Sequence, residues 1–563
     1  MPVGEDAGRW RTFRAERTVV VAARTVTSTV RALEVLPALL RDDPRVSVVF
    51  AYDSTSAFHD GVLALLRREG CRIMPWEQLG DCSPDLIVSA SENIDVPEGD
   101  CPVLVLPHGV GFHKFVPDSR APRTRLSGMV ADELLEAGRA WLAVSHPDQE
   151  EQLVATHPKV AGRTLLVGDP CYDQLVGGLA RRPAHRRALG VDDGQRLVVL
   201  SSTWGPTSLI GRDPGLPARV PAELPLDAYR VAAIVHPNVW SAHGAWQIRA
   251  LEAAALDAGL LLIPPIGAWQ SALLAADLVI GDHGSVTLYG AALGKPVLLG
   301  AFGDDVVRGT AMADLGRLAP RLDPAESMRE QVDRAVGGQA PDRYEAVAAR
   351  AFAVPGQAVA RLRAAVYRLL DLSEPTVPAP QLPVSEPDLR SARVTKWLAR
   401  TTASTVLGQT TVTVERFPVT GGEEHGEGHA AAHTHLACET EEPDHHVIES
   451  ASVLVRRSPA PTAVAGLAWI RDTLGRWPGS RLTAVKVAGG CLVGLRDGRV
   501  VEVTTTGPEI DPGLPGAVVH TLLRAGTDFG EGALVTLRAG AREEDVAVRL
   551  RPGPLNLASS QGG

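Results

Sequence analysis

Three polar turns, each directly after a short apolar run, carry residue types suited to chemistry on a phosphate-linked substrate. One is Gly281-Asp282-His283-Gly284-Ser285, which follows residues 278–280 and precedes a helical pattern. Backbone N–H groups at that helix start, with the hydroxyls of Ser285 and Thr287 beside them, would suit a phosphate or diphosphate. The same pattern is also typical of a capped turn in an ordinary strand–helix unit, so it needs supporting residues elsewhere.

The other two turns each present a histidine. His108 lies in Pro107-His108-Gly109-Val110-Gly111, after the apolar run 103–106, and glycines there allow close approach by a ligand. Because an imidazole has a near-neutral pKa, we interpret His108 as a general base for an attacking hydroxyl. His236, in His236-Pro237-Asn238 after residues 231–235, would donate to a leaving-group phosphate. The alternative is that both are turn histidines bonded to their own backbone.

The elements that must position these turns alternate between strand and helix. Apolar runs at 18–22, 46–51, 86–89 and 103–106 are separated by helical patterns, and a second block has runs at 196–204, 231–235, 260–263, 278–280 and 296–299. This alternation of strands and helices predicts parallel sheets covered by helices, with ligand sites at the carboxyl ends of the strands. The expected fold class is α/β, with two tandem Rossmann-like domains at 1–180 and 190–372 facing one cleft.

Composition limits the classes of function. The chain has 563 residues, 45% of them hydrophobic, and a net charge of −10 without a basic stripe, so nucleic acid is not an expected partner. Six scattered cysteines fit neither a disulfide framework nor a zinc ribbon. The N-terminus lacks the apolar core of a signal peptide, and no apolar run approaches the roughly 20 residues that span a bilayer. We therefore expect a cytoplasmic protein.

The last third has a different composition. A proline-rich stretch at 373–390 predicts a semi-rigid linker, and 391–563 predicts a small α+β accessory domain. Within it, Asp497-Gly498 indicates a hairpin, and residues 462–474 indicate a helix. No catalytic constellation is evident there.

Two segments of the accessory domain invite functional interpretations. A loop at 421–446 is rich in histidine and acid, which suits zinc or nickel, although its glycines and irregular spacing favour a solvated loop. Around Trp397, the basic residues Arg390, Arg393, Lys396 and Arg400 form a short amphipathic segment. It would either touch an anionic membrane surface or, the favoured reading, pack as a helix on the rest of the chain.

Further motifs carry a family resemblance. Gly168-Asp169-Pro170-Cys171-Tyr172-Asp173-Gln174-Leu175 is followed by Ser202-Thr203-Trp204, then His236-Pro237, then the Gly281–Ser285 turn. In this order and spacing, residues from about 18 to about 370 resemble GT-B glycosyltransferases of the CDP-glycerol glycerophosphotransferase type, the teichoic-acid polymerases. The resemblance implies an N-terminal acceptor domain and a second, nucleotide-donor domain.

What the resemblance implies can be stated by position. His108 acts as the base, and His236 with the turn bearing Ser285 and Thr287 holds the donor diphosphate. The implied donor-binding set is Gly109, Thr203, Asn238, Asp282, His283, Gly284, Ser285 and Thr287. No cofactor and no essential metal are implied, and no Asp-x-Asp metal motif lies near these residues.

Two departures from the family pattern leave the donor open. Asp282-His283-Gly284-Ser285 stands where the family has Asp-Tyr-Ser-Ser, and Cys171 stands where it has arginine. A UDP-sugar therefore remains an alternative to a CDP-linked donor.

The expected function is transfer of a glycerol-phosphate or sugar group from a nucleotide diphosphate donor to a hydroxyl acceptor, as in the synthesis of cell-envelope or other glycopolymers. The acceptor is either free or membrane-associated, and the protein is either wholly cytoplasmic or peripheral to the inner face of the membrane. Oligomerisation is left open. Two alternatives are kept: a catalytically silent GT-B scaffold or nucleotide-sugar sensor, and a nucleotide-sugar epimerase.

Overall fold

The computed structural model describes residues 12–13, 15–56, 58–117, 124–387, 389, 393–420, 432–505, 507, 510–553 and 555. Its first part is built on a parallel seven-stranded sheet in the order β3-β2-β1-β4-β5-β8-β9. The strands are β1 (Arg17–Ala23), β2 (Val46–Tyr52), β3 (Ile73–Pro75), β4 (Leu86–Ser89), β5 (Val103–Val105), β8 (Ala140–Val144) and β9 (Thr164–Leu166), with a separate hairpin of β6 (Phe115–Pro117) and β7 (Thr124–Leu126).

Helices cover both faces of this sheet. They are α1 (Val26–Leu39), α2 (Val62–Arg68), α3 (Asp132–Glu136) and α4 (Pro147–Thr156). After β9 come α5 (Pro170–Gly178) and α6 (Arg182–Ala188), and 3₁₀ turns lie at Trp76–Asp81, Pro158–Val160 and Leu179–Arg181. The strands are apolar toward both faces, and two separate clusters of buried side chains lie above and below the sheet. This is the pattern expected of a buried parallel sheet, so the α/β prediction is confirmed for this part.

A second parallel sheet of five strands follows, in the order β12-β11-β10-β13-β14. Its strands are β10 (Arg196–Ser202), β11 (Tyr229–Val235), β12 (Leu261–Ile263), β13 (Leu278–Gly281) and β14 (Val297–Leu299). Its helices are α7 (Leu209–Arg212), α8 (Leu216–Glu223), α9 (Pro237–Leu251), α10 (Ala253–Asp257), α11 (Trp269–Ala275), α12 (Ser285–Ala292), α13 (Ala311–Leu318), α14 (Met328–Gly337), α15 (Glu345–Ala351) and α16 (Ala358–Leu369).

Helix α16 returns to the first sheet. Its Leu362 and Val366 pack in the same buried cluster as Val19 and Leu36. The proline-rich stretch that follows contacts this helix through side chains, because Arg363 of α16 donates to Glu374 at 2.6 Å. The two sheets are thus joined twice, once before β10 and once through α16.

The last part closes into a nine-stranded barrel in the order β15-β16-β22-β23-β21-β20-β19-β18-β17. The strands are β15 (Lys396–Val406), β16 (Gln409–Pro418), β17 (His433–Glu439), β18 (Val453–Arg456), β19 (Leu482–Val487), β20 (Gly490–Leu495), β21 (Val500–Thr505), β22 (Ala533–Ala539) and β23 (Arg542–Leu550), with helices α17 (His445–Ser450), α18 (Ala463–Arg476) and α19 (Gly513–Arg524). Helix α19 is buried along most of its length and shares one apolar core with the strands. The domain therefore contains both helices and strands, as predicted, whereas the closure of its strands into a barrel was not predicted.

Local predictions in this region fared unequally. The hairpin expected at Asp497-Gly498 joins β20 to β21, and the helix expected at 462–474 is α18, which Thr462 caps. The predicted basic helix around Trp397 is wrong, because residues from Lys396 onward form β15 and the Trp397 ring lies in the barrel core. Alternation of buried and half-buried residues in Lys396-Trp397-Leu398-Ala399 is the period of a strand. Arg390 lies outside the described residues.

The histidine-rich stretch is only partly a loop. Residues 421–431, with His425 and His429, lie outside the described residues, whereas His433, His435 and Cys438 belong to β17 and His445 and His446 to α17. Among the residues that the structure describes, no three potential metal ligands lie close enough to share an ion. Over the same residues, none of the helices is both long and apolar enough to cross a membrane.

Candidate functional site

The carboxyl ends of both parallel sheets face one cavity of about 330 Å³. Residues within three positions of the carboxyl ends of seven strands, β1, β4, β5, β10, β11, β12 and β13, contribute to its wall, as expected for ligand sites of open α/β sheets. Of the residues predicted from sequence, the cavity is lined by His108, Gly109, Thr203, His236, Asn238, His283, Gly284 and Ser285. Asp282 and Thr287 do not line it.

The glycine of the His108 turn and the first residue of α12 meet across the cavity. The backbone N–H of Val110 donates to Ser285 Oγ at 3.2 Å, which joins the two sheets. A Cβ on Gly109 would lie 2.4 Å from Ser285 Oγ, closer than any real contact. A side chain at position 109 would therefore displace the Ser285 hydroxyl, which already accepts from a backbone N–H.

Asp282 and Thr287 have structural positions beneath the turn. The Asp282 carboxylate accepts from the backbone N–H groups of Thr203, Leu209 and Gly284 at 2.8, 2.8 and 2.9 Å. The fully buried Thr287 hydroxyl lies 3.4 Å from Ser201 Oγ. Both side chains hold the turn in shape rather than face a ligand, in contrast to the roles predicted for them.

His283 is also occupied within the protein. The Gly303 N–H donates to its Nδ1 at 3.1 Å, which places the ring proton on Nε2, and Nε2 lies 3.1 Å from Asp305 Oδ1. Burial alone would raise the pKa of Asp305, but the bond from His283 and the charge of Lys114 hold it at about 2. His283 therefore positions an ionised Asp305. Neither of its ring nitrogens is left to bind a nucleotide-linked substrate.

His236 has the tautomer that a hydrogen-bond donor needs. It caps α9, and the Asn238 N–H donates to its Nδ1 at 3.1 Å, so the ring proton is on Nε2. Burial, with smaller effects of His108 and Lys114, lowers the pKa of His236 to about 3. At neutral pH the ring is uncharged and can donate from Nε2 to a phosphate oxygen in the cavity.

His108 is exposed to the cavity and can act as a base. Desolvation by the surrounding protein lowers its pKa, the carboxylate of Glu92 raises it, and the guanidinium of Arg31 lowers it. The net direction is downward, so the imidazole is neutral at physiological pH and has a lone pair to accept a proton.

Glu92 and Arg125 were missed by the sequence analysis. Arg125 Nη1 lies 2.8 Å from Glu92 Oε1, and both residues line the cavity. Burial would raise the pKa of Glu92, but Arg125 and His108 outweigh it and keep the carboxyl ionised. A signal was present, because Glu92 follows β4 at the sheet edge where His108 follows β5.

His113 and Lys114 are a second pair that the sequence analysis missed. Lys114 Nζ lies 3.6 Å from Asp305 Oδ2 and 5.0 Å from the centre of the Trp204 ring. His113 Nδ1 bonds to the Gly111 carbonyl at 3.2 Å, and burial lowers the pKa of His113 to about 4. The two side chains bring one cation and one neutral imidazole to the wall of the cavity.

The Gly168-Asp169-Pro170 motif lies behind the cavity rather than in it. Asp169 caps α5 by accepting from the N–H groups of Cys171 and Tyr172 at 2.8 and 3.1 Å. Its other oxygen accepts from the Tyr289 hydroxyl of α12 at 2.6 Å, and Arg31 Nη2 of α1 lies 3.3 Å from the same hydroxyl. The motif therefore fastens α1, α5 and α12 together beneath the site.

Comparison with known proteins gives distant similarities only. No protein-family model matches the sequence, and no curated protein does. Similar solved structures include the wall teichoic acid polymerase TagF, at 14% identity and a TM-score of 0.47, with 64% of this chain and 90% of that chain covered. Another is the UDP-GlcNAc 2-epimerase from Neisseria meningitidis bound to UDP-GlcNAc, at 14% identity and 0.41, covering 62% and 100%. A third is a glycosyltransferase from Rickettsia africae ESF-5, at 9% identity and 0.37, covering 63% and 99%.

Proposed function

We propose that this protein is a transferase that moves a group from a nucleotide diphosphate donor onto a hydroxyl acceptor. The observation that carries the proposal is the meeting of His108 and His236, from two different sheets, in one cavity with the start of α12. His108 can accept a proton while His236 donates a hydrogen bond, and each ring is neutral in the state that does so. The domains that the two sheets represent would be the acceptor domain at 1–180 and the donor domain at 190–372.

The acceptor hydroxyl would lose its proton to His108. As its oxygen attacks the donor, the imidazole becomes a cation, and the ionised Glu92 nearby stabilises that cation. Arg125 keeps Glu92 ionised and in place through its 2.8 Å contact. Glu92 is thus proposed as a positioning residue for the base.

The leaving group would gather charge on the opposite side of the cavity. It is a nucleoside monophosphate when glycerol-phosphate is transferred, because the attack then breaks the P–O–P bond of the donor, and a nucleoside diphosphate when a sugar is transferred. His236 Nε2–H, the first N–H groups of α12 and the ammonium of Lys114 would face that charge as it develops. Since these groups are fixed before the reaction, they need little reorganisation in the transition state. This set would neutralise the phosphate charge of either leaving group with the chain's own groups.

The finer assignment rests on the sequence motifs. Their resemblance to the CDP-glycerol glycerophosphotransferases supports glycerol-phosphate transfer, and the altered Asp282-His283-Gly284-Ser285 turn keeps sugar transfer from a UDP-linked donor open. Glycopolymer synthesis at the inner face of the cell membrane is the setting we infer from that resemblance. Scaffold and epimerase functions are the outcomes against which the transfer is tested.

The test is a donor panel of CDP-glycerol, CDP-ribitol, UDP-sugars and GDP-sugars, in which donor hydrolysis and the thermal midpoint are followed together. His108→Ala should abolish turnover while the donor still raises the midpoint, and His236→Ala should weaken both. A matched control is His146→Ala, because His146 also precedes a proline, caps a helix through Nδ1 and lies outside the cavity. If no donor shifts the thermal midpoint, transfer is contradicted and a scaffold function is favoured. If the donor is isomerised in the absence of an acceptor, the protein is an epimerase.

A further inference from the structure

Helices α9 and α10 expose an apolar face. On it, Trp246 is 78% exposed and Leu251 is 67% exposed. Ala250 and Ala253 follow Trp246 at helical spacing, and both are exposed as well. Because tryptophan is mostly buried in folded proteins and is enriched where proteins associate, this side chain marks the face as an interaction surface.

An apolar groove of about 590 Å³ lies beside this face. Helix α9 lines it with Ala245 and Arg249, and the rest of its wall includes Val26 of α1 and Leu262 of β12. Among the described residues of the wall, only Asp60 and Arg249 carry charge. The groove is therefore large enough and apolar enough to receive an aromatic side chain.

The exposed tryptophan and the groove adjoin on one helix. Ala245 lines the groove, and Trp246 is the next residue. Gly244, with φ 75° and ψ 151°, interrupts α9 just before them. A two-fold axis brings the same surface of two copies together, so that each copy gives and receives the same contact. Two copies could therefore exchange their tryptophans into each other's grooves at the same time.

The charges of this face also suit a second copy. The whole chain has a net charge of −10, whereas residues 237–254 contain one base and one acid, Arg249 and Glu252. Neither forms an ion pair within the part of the chain that the structure describes. A guanidinium without an ion pair attracts the face of a tryptophan ring, whereas so little positive charge attracts an anionic membrane surface only weakly.

We propose that two copies of this chain associate about a two-fold axis along α9, with Trp246 of each copy in the groove of the other. The Trp246 ring of the second copy then lies beside Arg249. Pro237, Pro264 and Pro265 line both this groove and the cavity of His108 and His236, so the second copy borders the candidate site. The proposal stands apart from the transferase proposal, because it is tested by mass without any donor.

The experiment measures the mass of the full-length protein by sedimentation velocity across the micromolar range. Trp246→Lys removes the anchor and adds a charge to the face. Val464→Lys is the matched control, because Val464 is 74% exposed on α18 of the barrel and lies outside the groove.

A second variant tests the groove itself. Ala245→Trp fills the groove from its own wall and leaves Trp246 in place. Alone, this variant and Trp246→Lys should each be monomeric. Mixed, they should form a dimer with one intact contact, because one copy supplies the tryptophan and the other supplies the open groove.

We expect the wild type and Val464→Lys to sediment at twice 59.6 kDa. Trp246→Lys should dimerise roughly 1,000-fold more weakly, because the dimer loses two anchors of roughly 30-fold each. A wild type that is monomeric throughout, or Trp246→Lys that dimerises as well as the wild type, would overturn the interface. Loss of the dimer in Val464→Lys, or a mixture that stays monomeric, would overturn the exchange of tryptophans. A monomer that pellets with phospholipid vesicles only when Trp246 is present would assign the face to a membrane instead.

Discussion

The Tyr289 hydroxyl donates to Asp169 Oδ2 at 2.6 Å, and this bond joins α12, whose first turn lines the cavity, to the cap of α5. Both groups are buried, and Arg31 approaches the same hydroxyl from α1. The shape of the cavity wall, to which Arg31 and Tyr289 both contribute, therefore depends on this bond to the cap of α5.

Tyr289→Phe should lower the stability of the protein without unfolding it. The substitution removes a hydrogen bond to a buried carboxylate, for which the expected loss is about 1–3 kcal/mol. Asp169 retains two backbone donors, which limits the damage. Urea unfolding measures the change, with Tyr172→Phe as the control, because the Tyr172 hydroxyl makes only a 3.5 Å contact to the Ala292 carbonyl. Equal stability of the two variants would contradict the role given to Tyr289.

Gly109→Ala should damage the site by steric overlap. The added methyl would lie 2.4 Å from Ser285 Oγ and 3.0 Å from Ser285 Cβ, so one of the two turns must move. Overpacking of this kind costs about 1–3 kcal/mol, and we expect donor binding to weaken with it. Thermal melting with and without donor measures both effects.

Two further variants test whether the overlap with Ser285 causes the damage in Gly109→Ala. Adding Ser285→Ala removes the nearer of the two clashing atoms and should restore part of the lost stability. Gly475→Ala is the external control, because nothing lies within 4 Å of its added methyl. If the double variant is no better than Gly109→Ala, the overlap with Ser285 is not the cause of the damage.

Sequence patterns predicted the parallel sheets well, because buried strands and amphipathic helices have distinct periods that local sequence records. Strands β1, β4 and β10 lie within a residue or two of their predicted bounds. Short β3 was missed, since its three residues carry too little pattern. The closed barrel was missed for another reason: the pairing of β16 with β22 joins residues more than 100 positions apart, and no local period records it.

The location of the candidate site could be predicted from the sequence, but the roles of several of its residues could not. The rule that ligands bind after parallel strands located His108 and His236, and it applied equally to Glu92, which was overlooked. The positions of Asp282, His283 and Thr287 depend on partners such as Leu209, Gly303 and Ser201, which lie elsewhere in the chain. Residue type alone cannot tell a side chain that faces a ligand from one that supports the turn beneath it.

The pH dependence of turnover should report His108. A base works only when it is deprotonated, so activity is lost as the pH falls through its pKa in the folded protein. Because that pKa lies below the usual 6.5, the acid limb of kcat/KM should lie below that of an ordinary imidazole. Glu92 raises the pKa of His108, so Glu92→Gln should move the acid limb to still lower pH while reducing the maximum rate. An acid limb unchanged by Glu92→Gln would contradict the coupling.

The stability of the barrel should itself fall in mild acid, because of a buried pair of histidines in contact with each other. The rings of His435 and His520 lie 4.0 Å apart between centres, both side chains are buried, and both nitrogens of His435 lack hydrogen-bond partners among the described residues. Burial lowers their pKa values to about 3 and about 4, so both rings are neutral in the folded state. Between these values and about 6.5 the unfolded chain binds more protons, and stability therefore falls as the pH falls.

By this linkage, each of the two histidines should remove roughly 2 kcal/mol of unfolding free energy between pH 7 and pH 5. Urea unfolding at the two pH values, followed by near-ultraviolet signals of the barrel, measures the loss. His435→Leu should show a smaller difference between pH 7 and pH 5 than the wild type, whatever its absolute stability. His146→Leu is the control, since the His146 ring is not buried in the barrel and makes its Nδ1 contact at a helix cap. If His435→Leu keeps the full pH dependence, carboxylates elsewhere cause the loss and the buried histidine pair does not.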